Sequence, residues 1–160
     1  MVTQGARIIP VLALAASITY YALTIRNQNK TRQAQLCLNI FTRMNAEWLE
    51  AYHIVTSADF TNYQEYIDKY SYEANPEYKR TENTVSTFFE GLGSIVREGL
   101  LDIRFIAVMM GGTTRMYWEK MAPVVKEGRV VLGYPRWLSE TEFLYDELMK
   151  YMKQHPELAT

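Results

Sequence analysis

Eighteen consecutive residues without a formal charge, Ile8 to Ile25, lie between Arg7 and Arg26, and no other feature constrains the fold of the chain as strongly. As an α-helix this stretch covers about 27 Å, close to the hydrocarbon thickness of a bilayer. The hydroxyls of Ser17, Thr19 and Thr24 can return to carbonyls of the same helix, and Tyr20 and Tyr21, toward one end, suit a membrane interface. The stretch is read as an N-terminal transmembrane helix anchored through Ile8, Leu12, Leu14, Ile18, Leu23 and Ile25. A cleaved leader competes with this reading, because Ala13-Leu14-Ala15 looks like a small-residue processing site. Only five apolar residues would precede that site, where leaders use about 7–15. A buried helix of a soluble protein is the third reading. Arg26, Lys30 and Arg32 follow the span closely, against Arg7 and the terminal amine before it, which predicts a single pass through the cell (inner) membrane with the C-terminal domain cytoplasmic. Ala13 and Ser17 are four apart and could let two spans approach, although such spacings are common in alanine-rich helices.

No Gly or Pro occurs between Pro10 and Pro76, so the span can continue into a stalk, with Asn27 to Thr31 the only weak helix-forming stretch. Beyond it Cys37, Phe41, Met44, Trp48, Tyr52 and Val55 recur at steps of three or four and predict one continuous helix. Asn62 with Glu65 makes a capping-box-like start for a short helix bearing Tyr63, Tyr66, Ile67 and Tyr70. Asn75-Pro76-Glu77 supplies a cap, a first-turn proline and an acid for a long helix lined by Val85, Phe88, Phe89, Leu92, Ile95 and Val96, with Gly99 as its stop. Asp102 caps a helix over 103–110 that Gly111-Gly112 should close. Another is expected from Thr113, striped by Tyr117, Met121, Val124 and Val125, bent at Pro123 and ended by Gly128. Arg129 to Arg136 reads as an extended loop. Ser139-Glu140-Thr141-Glu142 is a capping box opening a last helix through Phe143, Leu144, Leu148, Tyr151 and Met152.

The expected fold is therefore all-α: a transmembrane helix, possible continuity into a stalk helix, and a small bundle of about five helices. The expected divisions are 1–26 (anchor), 27–56 (stalk and first bundle helix), 57–153 (remainder of the bundle) and 154–160 (flexible tail). Net charge is −1, and with Arg7 and Arg26 set aside the rest carries 15 basic and 18 acidic residues. That leaves no basic field for nucleic acid.

Phe88-Phe89-Glu90-Gly91-Leu92-Gly93, then Val96-Arg97-Glu98-Gly99-Leu100-Leu101-Asp102, and further on Tyr117-Trp118-Glu119, resemble an uncharacterised prokaryotic family of single-span proteins classed as a domain of unknown function. Thr31-Arg32-Gln33-Ala34-Gln35-Leu36 with Phe41 and Met44-Asn45 resembles that family's stalk. The resemblance implies an anchor with a helical domain and brings no catalytic residues.

Chemistry needs convergent groups with tuned pKa values. Cys37, the single cysteine, lies on an apolar stripe, where a thiol packs as a small hydrophobe. His53 has no spaced partner, His155 precedes Pro156 in a polar tail, and no four-ligand zinc set exists. Gly91-Leu92-Gly93 sits inside a helix and lacks the lysine of a phosphate loop; close helix packing at Gly91 or Gly93 is the simpler expectation. Glu90, Arg97, Arg115, Tyr117, Trp118 and Glu119 are the candidates for a ligand or partner site, with Arg115 and Glu119 already an ordinary i,i+4 pair. Tyr63, Tyr66, Tyr70, Tyr72 and Tyr78 divide between core packing and an interface. No catalytic residue, cofactor or metal ligand is assigned. The expected function is a membrane-tethered helical interaction or accessory module, with the bilayer and a protein partner or second copy as its contacts. The alternative is a small-ligand sensor or enzyme with a pocket between the Phe88 and Tyr117 helices.

Overall fold

The structure is a computed structural model that describes the backbone of residues 5–158 and the side chains of residues 12–158. The side chains of Ile8 and its neighbours up to Val11 therefore lie outside the described residues. Among those described the chain is all-α: α1 Gly5–Arg43, α2 Ala46–Ser57, α3 Tyr63–Tyr70, α4 Pro76–Arg97, α5 Ile103–Val131 and α6 Ser139–Gln154, then a 3-10 turn, Pro156–Leu158. That turn lies in the stretch expected as a flexible tail. Two compact units divide the chain, Met1–Ile40 and Phe41–Thr160.

In the first unit α1 is apolar over Leu12 to Ile25. The hydroxyls of Ser17, Thr19 and Thr24 donate to the carbonyls of Ala13, Ala15 and Tyr20 at 2.8–2.9 Å, the local bonding expected from the sequence. Among the described residues no helix is long and apolar enough to cross a membrane. The charge-free stretch begins at Ile8, and the part with described side chains is fourteen residues, about 21 Å of helix.

The predicted continuous helix through Cys37 and Val55 is broken. α1 ends at Arg43, and the Oδ1 of Asn45 accepts the N–H of Trp48 at 2.9 Å, starting α2 afresh. Asparagine with its own side-chain acceptor favours a helix start over a helix interior, and that local preference overrides the apolar spacing. Asn62, Asn75 and Asp102 cap α3, α4 and α5 as expected. Gly99, at φ 66°, stops α4 by donating to Val96, with Leu100 donating to Ile95.

In the second unit α4 lies against α2, α3 and α6, and α5 against α2, α3 and α6. The centre is formed by Val55, Val85, Phe89, Ile106, Tyr117, Met121, Val124, Val125, Leu144 and Leu148, all without exposed surface. Two expected stops in α5 are absent. The helix runs through Gly111-Gly112 and Pro123, and it passes Gly128 to end at Val131. Gly128 is there for room: a Cβ would strike the Trp137 ring and come within 2.8 Å of Tyr63. The stretch read as a loop from Arg129 is thus helical in its first three residues, and Gly133, at φ 61°, makes the turn.

Candidate functional site

The α4–α6 joint holds two of the polar side chains singled out from sequence, Glu90 and Arg97. Gly93 faces α6 so closely that a Cβ would overlap the Glu140 carbonyl, whereas Gly91 faces open space. Helix backbones can approach this way only where one lacks a side chain. On either side of the contact, Glu90 Oε1 accepts the N–H and the hydroxyl of Thr141 at 2.7 and 2.9 Å. Arg97 Nε donates to Glu140 at 2.5 Å and stacks its guanidinium 3.8 Å from the Phe143 ring centroid. The expected Ser139 capping box does not form. Leu138 precedes the helix in a left-handed conformation without a side-chain cap, and Glu90, 51 residues away in sequence, supplies the acceptor. An anion at a helix N-terminus also favours the aligned peptide dipoles.

The six candidates therefore do not converge. Glu90 and Arg97 engage α6. Arg115 and Glu119 form a pair at 3.0 Å with side chains 52% and 47% exposed, which solvent renders weak. Tyr117 and Trp118 are core residues. The Phe89 and Tyr117 rings stack at 4.4 Å and 13°, and Ser86 Oγ lies 2.8 Å from the Tyr117 hydroxyl. Aromatic rings thus occupy the place where the alternative reading put a pocket between these helices. Burial pushes the Tyr117 phenol up from its ordinary value, and the hydrogen bond to Ser86 opposes that.

A second polar cluster was not expected. Glu82 is 1% exposed; its Oε2 accepts the Tyr66 hydroxyl at 2.5 Å and the Lys79 ammonium at 2.5 Å. Lys79 also reaches the Tyr66 hydroxyl and lies 4.9 Å from that ring's centroid. Burial raises the phenols of Tyr66 and Tyr78, and the nearby Glu82 carboxylate adds to the shift. The signal in the sequence was register: Tyr78, Glu82, Val85, Phe89 and Leu92 fall on one helical stripe, so Glu82 holds a core position. A buried charge is kept only where it is paired and hydrogen-bonded. With the carboxylate sealed, this cluster ties α3 to α4 and offers no surface to a substrate.

An open groove of about 820 Å³ between α2 and α4 is lined by Arg43, Asn45, Glu47, Trp48 and Arg80, among others. Of the remaining residues weighed for reactivity, Cys37 is half-buried with its thiol raised by desolvation, which lowers its thiolate fraction. His53 is exposed. His155 is 3.1 Å from Glu157 and stacks on Tyr151. Among the described residues no group of three or more His, Cys, Asp or Glu could hold a metal ion. Of the clustered tyrosines, Tyr63, Tyr66 and Tyr78 are buried, Tyr70 is half-buried and Tyr72 is 51% exposed.

The molecule is thus an all-α protein whose buried polar groups hold helices together. The chain belongs to the family described as Domain of unknown function (DUF4760), which matches residues 11–148, from within the apolar part of α1 into α6. Of the residues that carried the resemblance, Glu90, Gly93 and Arg97 lie at the α4–α6 joint. No curated protein and no solved structure matches the chain.

Proposed function

We propose that this protein is a membrane-tethered helical interaction or accessory module, with α1 carrying the anchor and the unit Phe41–Thr160 presenting its surface on the cytoplasmic side of the cell membrane. One observation carries the reading. Leu12, Leu14, Ile18, Leu23 and Ile25 are each more than half exposed along α1, while the hydroxyls between them are satisfied by the helix's own carbonyls. In water this exposure forfeits about 1.5–3 kcal/mol for each large side chain; in hydrocarbon it costs nothing, and internal bonding of the hydroxyls is what hydrocarbon demands. Ile8 to Val11 extend the charge-free stretch to the length a bilayer needs. A tether confines the helical unit to the membrane surface and raises its effective concentration toward partners there. The alternative of a ligand pocket between α4 and α5 has no comparable support, since the stacked Phe89 and Tyr117 rings fill that space.

The test is fractionation of the full chain with carbonate extraction and protease accessibility in sealed vesicles. The proposal expects retention in the membrane pellet and cleavage only from the cytoplasmic side. Release by carbonate would remove the anchor. Crosslinking under gentle extraction that returns only the monomer would remove the interaction role.

A further inference from the structure

At the end of α5 four large apolar side chains stand in solvent: Val130 is 82% exposed, Val131 63%, Leu132 57% and Tyr134 55%. Together these four residues present roughly 450 Å² of accessible surface, polar atoms included, in the middle of the range of about 300–600 Å² for the largest apolar patch on an ordinary monomer. The turn that carries them is closed on itself. Leu132 donates to the Gly128 carbonyl at 2.8 Å, Gly133 to Val130 at 3.3 Å and Tyr134 to Arg129 at 3.1 Å, with Gly133 at φ 61°. This is the double-bonded glycine stop of a helix, and it satisfies carbonyls that a helix end otherwise offers to water. The turn is also held rigidly. Arg129 Nε donates to the Trp137 carbonyl at 2.8 Å and its guanidinium pairs with Glu142 at 2.5 Å, fixing both ends of the tip to the body of the unit.

The charges around the tip have a direction. Lys126, one turn before Val130, and Arg136, two residues after Tyr134, are exposed; neither forms an ion pair within 4.0 Å among the described residues, although Lys126 is near enough to Asp146 on α6 to oppose the rise of its carboxyl. Glu127, the acid nearest in sequence, accepts the backbone N–H of Tyr63 at 3.0 Å on α3.

We infer that this tip is a second membrane contact: Val130, Val131, Leu132 and Tyr134 dip into the interface of an anionic bilayer, and Lys126 and Arg136 meet its headgroups. Area argues against a protein occupant, because the patch is about half of the roughly 800 Å² each partner contributes to a standard interface. A small apolar tip with its backbone bonds closed and cations at its rim matches the chemistry of an interface whose interior accepts no free polar groups. The inference deepens the tether proposal and rests on it for the nearness of a bilayer.

The experiment places an environment-sensitive fluorophore on Val131→Cys in a Cys37→Ser background of the full chain, reconstituted into vesicles of neutral lipid alone or with a third anionic lipid. Flotation and carbonate extraction are read alongside emission and quenching by spin-labelled lipid. Blue-shifted, lipid-quenched emission is expected on anionic vesicles. Lys126→Gln and Arg136→Gln should each lower the inserted fraction about fivefold. Carbonate-resistant flotation with water-like emission overturns the tip and leaves the tether. A lipid-quenched shift on a chain that carbonate strips off supports the tip and removes the tether. A shift that follows protein concentration and is indifferent to lipid quencher overturns the inference in favour of self-association. A chain that neither floats nor shifts overturns both.

Discussion

Replacing Gly93 by alanine separates packing from helix propensity. A mid-helix glycine costs about 1 kcal/mol relative to alanine, so propensity alone favours the change. At Gly93 the new Cβ would lie 2.5 Å from the Glu140 carbonyl carbon and overlap its oxygen. These are backbone atoms of α6, which cannot rotate away as a side chain would. Relief requires the start of α6 to retreat by about 1 Å, and overpacking of this kind costs about 1–3 kcal/mol. The retreat also stretches the Glu90–Thr141 bonds at 2.7 and 2.9 Å, where a lost cap costs a further 0.5–2 kcal/mol, roughly. The net expectation is a loss of about 1–3 kcal/mol, or about 3–6 °C of melting temperature per kcal/mol for a domain of this size. Gly91 is the internal control, since nothing lies within 4 Å of its Cβ position. Gly91→Ala should stabilise by about 0.5–1 kcal/mol. Thermal and urea unfolding of the full chain in mild detergent, followed by far-ultraviolet circular dichroism, gives both values. A Gly93→Ala protein melting at or above the parent would refute the close approach.

Glu82→Ala strands the Tyr66 hydroxyl and the Lys79 ammonium, whose side chain is only 18% exposed; a loss of about 3 kcal/mol is expected in urea unfolding, and a loss under 1 would mean that the cluster is solvated. Glu90→Ala should cost about 1 kcal/mol through the uncapped α6, whereas Arg115→Ala should stay within about 0.5 kcal/mol because its pair is half exposed; equal effects in the same assay would contradict this division. Burial holds the phenols of Tyr66, Tyr78 and Tyr117 above the ordinary value of 10.0. Their folded values exceed the unfolded one, so their contribution to stability is complete below pH 10 and is lost as pH rises above it. In an ultraviolet titration of the twelve tyrosines, these three should ionise only as the fold is lost, and ionisation of all twelve near pH 10 with the dichroism intact would be the contrary result.

Sequence alone determined the all-α class, the starts of α3, α4 and α5 and the stop at Gly99, because each depends on atoms a few residues apart. Asn62, Asn75 and Asp102 reach backbone N–H groups two or three positions on, and the stripes of α4 and α5 follow from helical period. The eighteen-residue uncharged stretch was equally plain. The tertiary structure decided whatever depended on a partner distant in the chain. Gly128 does not punctuate but makes room for Tyr63 and Trp137, and of the two glycines expected to allow close packing only Gly93 does so, against Glu140. The cap of α6 comes from Glu90 on α4, so a capping box written in consecutive residues misled. Glu82 could hold a core position only because Tyr66 arrives from α3 to share its charge. The candidate polar residues lie apart for the same reason: a charged side chain takes the partner that folding brings within hydrogen-bond reach, and spacing along the chain does not record which helix that will be.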